Sequence, residues 1–574
     1  MRAYILTEDQ ARRVPIALLI GLCLAYLVPG YGPRDPWGSI DSTGFGIALT
    51  FAQSGSASWL APSVFGVSVP SEAPLSYWLI AVGIRLTDPW LSAHAAARLT
   101  TGLLVALGLL GMWRAAFLFA RRPEIQPSDP FGASAAPLVI ARSMADASIL
   151  IALACCGLII RLHETTSEAL QFTWTALLLL GFAQTLERPK RGGLIVGLAL
   201  VATGLGSSPL LALLFGLAWL AAHAISAPLR VLARDSIPAS IGPVAAAFIL
   251  WLAILAVSDE AGRATVLQWW RAAWPPFESV VTPWTDRLRT LAWFVWPAWP
   301  LALWTLWKWR ASWREPALIG PALLCVAVLI YLSMPSRMNE QAIIPLALPL
   351  ALLAIWALPR IGRGFAGLFD WLAVALFSLF IVFIWAYWIA LQTGFPPRMA
   401  AGAARVAPGF EHEPIALTGL LAALATLAWL ALIRWRLSDG PRVLWRPVVL
   451  SAAGLTITWL LLITLWLPIY DNRISLRGPV TAASDRIRAS APDSRIESTC
   501  VYAVDLGPAE RTAFAYMGSV RFARGDEACD WVIRRLASGS GTSSVEPPGQ
   551  WERVWQGGRR IDRVERFTLE RRVR

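Results

Sequence analysis

Apolar residues fall in blocks of about 18–22 along most of the chain, and that recurrence leaves few folds open. A block of this length, wound as an α-helix, reaches across the hydrocarbon core of a bilayer. Lipid offers no hydrogen bonds, so each crossing segment has to satisfy its own backbone, and a helix does so. Only 15% of the 574 residues are charged and mean hydropathy is +0.55, too little polar surface for a soluble protein of this size. The chain is expected to be an all-α polytopic membrane protein with about thirteen transmembrane helices.

Hydropathy places the spans at about 14–30, 96–120, 143–161, 169–187, 193–208, 210–227, 239–257, 290–307, 317–333, 341–358, 370–391, 414–433 and 447–468. Basic residues follow alternate spans: Arg121-Arg122, then Arg188, Lys190 and Arg191, then Arg230 and Arg234, and so on to Arg434 and Arg436. The positive-inside rule then sets the N-terminus inside and the C-terminus outside. The first span is read as retained, because no small-residue cleavage site follows it. The same clusters account for the net charge of +13, and no nucleic-acid motif accompanies them, so nucleic acid is not an expected partner.

Two outer loops stand apart. In loop 31–95, Phe45, Leu49 and Ala52 recur at helical spacing, which predicts a short interfacial helix. Leu75–Leu86 reads as a second helix at the membrane surface. Loop 258–289 is rich in tryptophan and carries Arg263, Arg271, Arg287 and Arg289 against the charge bias. Either these arginines are solvated in a long loop, where the rule is weak, or they bind an anion. Residues 471–574 are more polar and suffice for one small extracytoplasmic α/β domain. Cys23, Cys155, Cys156 and Cys325 sit in apolar runs as packing residues, while Cys500 and Cys529 are placed to pair if the tail faces an oxidising compartment.

The stretch Ile40–Leu79 holds just two acids in its core, Asp41 and Glu72, inside an otherwise apolar frame. Within it, SGSASWLAPSVFGVSVPSEAPLSYWL resembles the form SGDWLTPHLNGVPYFEKPPLYYWL of bacterial lipid A aminoarabinose transferases and related protein O-mannosyltransferase-like enzymes. HAAARLTTGLLVALGLLGMWRAAFLFARR is similar to the family's next span, and TALLLLGFAQTLERPKRGGLIVGLALVATGLG to its fourth and fifth. The resemblance covers most of the membrane part. It implies a C-type glycosyltransferase at the periplasmic face of a bacterial inner membrane, with the 471–574 domain in the periplasm. Its partners would be a polyprenyl-phosphate sugar donor, a lipid (lipid A-like) or glycan acceptor, and membrane lipids.

The chain departs from the family pattern at several positions. The family's acidic pair falls on Ile40 and Asp41, so the first acid is missing. Its Glu-Lys-Pro becomes Glu72-Ala73-Pro74, and its Thr-Lys-Gly becomes Thr203-Gly204-Leu205, each without the lysine. The acid at the start of span four lands on Glu168.

Glycosyl transfer needs a base for the acceptor and a cation or donor group for the leaving phosphate. Asp41 and Glu72 are the expected catalytic acids; otherwise Asp41 is a loop acid near Arg34, and Glu72 an acid at a helix start. Glu168, His163 and Glu164 form the densest polar cluster at an outer span junction and are assigned to substrate binding, although an acid at 168 also suits a helix dipole. Arg337, helped by Arg271, is assigned to the donor phosphate; its alternative is a surface ion pair with Glu340. No cofactor is expected, and His163 with Glu164 lacks a third metal ligand nearby. A catalytically degenerate relative that binds lipid-linked sugar or a partner protein is the alternative. A transporter is disfavoured, since the spans carry almost no buried charge and show no inverted repeat.

Overall fold

A computed structural model describes residues 6–32, 34–55, 59–127, 134–274, 282–335, 338–406, 416–437, 443–490, 499–523, 527–536, 547–559 and 566–573, apart from the side chain at 363. The first third contains α1 (Ile16–Leu27), α2 (Gly38–Gln53), a hairpin of β1 (Ser63–Val64) and β2 (Val67–Ser68), α3 (Pro74–Thr87), α4 (Ala93–Ala120), α5 (Pro137–Ala154), α6 (Leu158–Arg161) and α7 (Ser167–Thr185). The middle contains α8 (Pro189–Gly206), α9 (Pro209–Ile225), α10 (Ala227–Val257), α11 (Glu260–Ala272), α12 (Trp284–Phe294), α13 (Ala298–Lys308), α14 (Pro316–Ser333), α15 (Ile344–Ile355), α16 (Arg363–Thr393) and α17 (Pro397–Ala404). Next come α18 (Ala416–Leu437) and α19 (Arg446–Leu461), which runs through a π turn (Leu462–Trp466) into α20 (Leu467–Ile474). The tail holds α21 (Arg477–Ser490), β3 (Cys500–Val504), α22 (Pro508–Gly518), β4 (Arg521–Phe522), β5 (Trp531–Leu536), β6 (Trp551–Gly558) and β7 (Arg566–Arg572).

Every expected span falls on a helix. Among the described residues, seven helices are long and apolar enough to cross a membrane unaided: α4, α5, α10, α14, α16, α18, and α19 with its continuation. Two expected spans are divided, one of them at a proline. Pro297 has no N–H, and the span expected at 290–307 divides there into α12 and α13. The carbonyls freed at that break are not left bare: Gly157 N–H donates to Phe294 O at 2.9 Å and Cys156 N–H to Trp296 O at 3.2 Å. The span expected at 143–161 is likewise two helices, α5 and α6.

Helix starts follow local chemistry. Pro137, Pro189 and Pro209 open α5, α8 and α9 at the position where a missing N–H costs nothing. Thr166, Ser208 and Asp259 cap α7, α9 and α11 through side-chain oxygens. Small residues then decide which helices touch. A Cβ on Gly193 or Gly197 of α8 would lie 2.0 Å or 2.3 Å from a carbonyl oxygen of α10, those of Ser236 and Ser240. These two backbones are in direct contact, the close approach that lipid-embedded helices use where water cannot drive them together. Charge does enter the bundle. Asp146 of α5 is fully buried, and Arg13, ahead of α1, reaches it at 3.2 Å while Trp113 Nε1 donates to it at 2.9 Å.

The tail forms a five-stranded mixed sheet of order β4-β3-β5-β7-β6. Strands β3, β4 and β5 are parallel, and β7 joins β5 and β6 antiparallel. Val501, Phe514, Trp531, Ile533, Phe567 and Leu569 fill its core with α21 and α22. Cys500 and Cys529 are joined in a disulfide. The segments WERVWQGGRR and RVERFTLERR, legible from sequence as strands or as a turn and helix, supply the paired strands β6 and β7. This small domain sits on the outer-loop helices: Arg511 Nη1 donates to Phe65 O at 3.0 Å, and Tyr516 packs edge-on against Phe45. The N-terminal segment lies at the other end of the helices, where Leu444 N–H donates to Gln10 O and Ala135 N–H to Leu6 O.

Candidate functional site

The hub is the turn 163–167 between α6 and α7. Asp41, in the first turn of α2, is fully buried and accepts three hydrogen bonds, from Arg34 Nη1 at 2.7 Å, Trp37 N–H at 2.8 Å and Thr165 N–H at 2.7 Å. Arg34 also donates to His163 O at 2.6 Å and lies over the Trp37 ring. Burial alone pushes the Asp41 carboxyl up; the Arg34 charge, with His94 and the two backbone donors, outweighs it and holds the group below its ordinary range. Gly44 makes the approach possible, since a Cβ there would fall 1.9 Å from Thr165 O. Asp41 ties α2 to the turn that leads into the polar groups around Glu72.

Four of those groups converge at one point. Glu72 Oε2 accepts from Tyr77 Oη at 2.7 Å and from Ser167 Oγ at 2.9 Å, and Ser167 Oγ lies 3.1 Å from Glu168 Oε2. A serine hydroxyl carries one proton, so it cannot donate to both carboxylates at once. A proton on Glu168 resolves the conflict: Glu168 donates to Ser167, and Ser167 donates to Glu72. The electrostatics agree, because burial and then the Glu72 charge both push Glu168 up from its ordinary value. Among the described residues neither Glu72 nor Glu168 has an ion-pair partner.

An apolar groove of about 450 Å³ opens beside this cluster, walled by Leu200, Leu213, Leu217, Ile241, Phe248 and Trp269 from α8, α9, α10 and α11. Trp269 joins groove to cluster, since its Nε1 donates to Glu72 O at 3.0 Å. Ser76 Oγ ties α3 to the end of α8 through Gly206 O at 2.6 Å.

The remaining expected residues take other places. His163 is fully buried, set between the carbonyls of Ile159 and Leu27 and packed on Tyr31 and Trp459. Burial drives its pKa down to about 4, against the pull of the two carbonyls. Glu164 accepts from Arg161 and from Gln341 Nε2, each at 2.7 Å, and Arg161 also bridges to Glu340. Together they lock the hub to the turn before α15. Arg271 is exposed on α11 beside Pro70, near Glu72 in sequence. Arg337 lies outside the described residues. The lysine positions of the family pattern are filled by buried Ala73 and by Gly204 on the groove wall, and Ile40 is exposed at the position of the first acid. Among the described residues, Cys500, Glu527 and Cys529 form the only group of three potential metal ligands, and its two sulfurs are spent in the disulfide.

No protein-family profile matches the chain, and no curated protein matches it. Solved structures do. Crystal structures of ArnT from Cupriavidus metallidurans, one bound to undecaprenyl phosphate and one in the apo state, match at TM-scores of 0.65 and 0.62. Each is 14% identical, and the match covers 97% of this chain and 98% of the other. The fold is that of ArnT. The likeness read from the first outer loop thus holds for the whole architecture, membrane helices and tail domain together. Ser167 and Tyr77 were not picked out from sequence; the ArnT fold brings them to Glu72 from separate helices, and a hydroxyl next to an acid leaves no spacing signal to read.

Proposed function

We propose that this chain is a multi-pass inner-membrane glycosyltransferase that moves a sugar from a polyprenyl-phosphate donor to a lipid or other acceptor at the periplasmic face. The observation that carries the reading is a carboxylate cluster joined to an apolar groove through Trp269, which lines the groove and donates to the Glu72 carbonyl. A polyprenyl chain suits a dry groove facing lipid, and the cluster stands where its head would emerge. The undecaprenyl phosphate held by the Cupriavidus metallidurans ArnT structure supports the choice of donor class.

In this reading Glu72 is the base that takes the acceptor proton, oriented by Tyr77 and Ser167. Glu168 holds the neighbouring proton, so that two like charges do not face each other. Arg271, with Arg337, supplies positive charge to the leaving phosphate. Glu164 and His163 act from behind, through the turn. Purified full-length protein in lipid vesicles, given a panel of undecaprenyl-phosphate sugars and an extract of envelope lipids, is expected to release undecaprenyl phosphate. Glu72→Gln is expected to stop release while leaving binding of undecaprenyl phosphate intact.

A second reading rests on Ile40, Ala73 and Gly204, which leave the carboxylate cluster without a cation among the described residues. A non-catalytic relative would keep the groove and lose the chemistry. Undecaprenyl phosphate binding with no turnover of any donor in the panel selects that reading.

A further inference from the structure

A second cavity, of about 920 Å³, lies away from Glu72. It opens between the start of α4, the α20–α21 turn and strand β6, and none of the carboxylate cluster lines it. Arg34, Arg98, Arg473, Arg477 and Arg559 face it, together with His94. Against these five cations stand Asp35 and Asp471 on the wall and Asp41 behind Arg34.

The acids are already engaged. Asp35 accepts from Arg477 Nε at 2.9 Å and Ser475 Oγ at 2.6 Å, and Asp471 accepts from Trp37 Nε1 at 3.0 Å. Arg98 is 3% exposed, and among the described residues its guanidinium donates to the carbonyls of His94 and Gly32 and to no carboxylate. Arg473 is exposed and has no acidic partner among the described residues. His94, one turn before Arg98 and also 3% exposed, has a buried Nε2 with no hydrogen-bond partner. A buried guanidinium without a carboxylate and an idle buried imidazole nitrogen are costly unless an anion completes them. Both stand in the first turns of α4, where the helix dipole also favours negative charge.

We propose that this cavity binds the phosphate of an amphiphile's head group, at a site separate from the Glu72–Glu168 cluster and independent of the transfer reaction. Phosphate suits it because the donors converge from several directions and leave two positive charges without an acid. An amphiphile suits it because the rim at Ser92 continues into Leu86, Trp90 and Leu91, exposed by 69%, 80% and 38%. An apolar turn carrying an exposed tryptophan belongs at the lipid–water boundary. Trp555 and Tyr516 on the facing wall offer rings to whatever the phosphate esterifies.

Full-length protein in neutral detergent is titrated calorimetrically with dioctanoyl phosphatidic acid, glycerol 3-phosphate, inorganic phosphate and dioctanoylglycerol. Phosphatidic acid is expected to bind, and Arg98→Gln or Arg473→Ala to weaken it by about fivefold or more each, the scale of a lost charge-assisted contact. Glu72→Gln and the distant Arg314→Ala are expected to leave it unchanged, and dioctanoylglycerol not to bind. If Arg98→Gln fails to fold, the exposed Arg473 carries the test. Wild-type affinity in the folded variants overturns the site, and equal affinity for dioctanoylglycerol overturns the phosphate. Inorganic phosphate or glycerol 3-phosphate binding as tightly as phosphatidic acid overturns the amphiphile. Because turnover is not read, failure here leaves the proposed transferase standing, and the reverse holds too.

Discussion

Asp41 and Glu72 are both acids of the first outer loop, yet the fold gives them different work. Read from sequence, Asp41→Asn is a clean test of catalysis. In the folded chain it strips the partner from Arg34, whose side chain is 1% exposed. A buried ion pair broken on one side costs about 3–5 kcal/mol. Asp41→Asn is therefore expected to lower thermal stability in detergent and expression in membranes, and activity only as a consequence. Glu72→Gln, at a half-buried position with neutral partners, is expected to fold normally and lose about 10²–10⁴-fold in turnover. For Glu168 the folded pKa is raised, so the folded state binds its proton more tightly than the unfolded chain does. The stability this contributes is complete below the ordinary value of 4.5 and disappears as pH climbs through the raised one. A pH–rate profile is expected to fall on its alkaline side over the same range, and Glu168→Gln, which keeps the neutral form, to flatten that limb.

At the scale of elements, contacts between helices rest on the absence of side chains. Gly44→Ala puts a methyl group into the Thr165 carbonyl and is expected to loosen the hub, visible as faster hydrogen exchange at 163–167. Gly193→Leu, by parting α8 from α10, is expected to widen the groove wall and weaken binding of undecaprenyl phosphate. The spans themselves were legible, because apolar length and alternating arginines speak for each helix separately. Helices α2 and α3 were legible too, α2 from its apolar spacing and α3 from its short apolar run. What could not be read was the pairing. Arg34 and Thr165 are 131 positions apart and meet only through Asp41. The arginine cavity was missed because its members, harmless singly at span ends, gather from the first loop, α4, α20, α21 and the final sheet.

For the whole molecule, the tail domain and the N-terminal segment lie at opposite ends of the bundle, which agrees with the charge bias of the loops. The disulfide between Cys500 and Cys529 fits an oxidising side for the tail, and the four remaining cysteines are free. Thiol counting on unfolded protein is expected to find four reactive groups before reduction and six after it, and Cys500→Ser to cost about 2–4 kcal/mol of tail stability. Asp35 and Arg477 clasp the first loop to α21, and Arg477 holds Asp35 low in spite of its burial. That clasp is present above the ordinary carboxylate pKa and lost as pH falls through the depressed one, so the tail is expected to become protease-sensitive in acid.

Gly46 of α2 lies so close to Thr512 of α22 that a methyl group would not fit between them. The two lie far apart in the chain. During synthesis α2 is made long before α22, so this face of it waits for its cover. A chain truncated before residue 508 is expected to leave that face of α2 bare and to be cleaved faster by protease than the full-length protein.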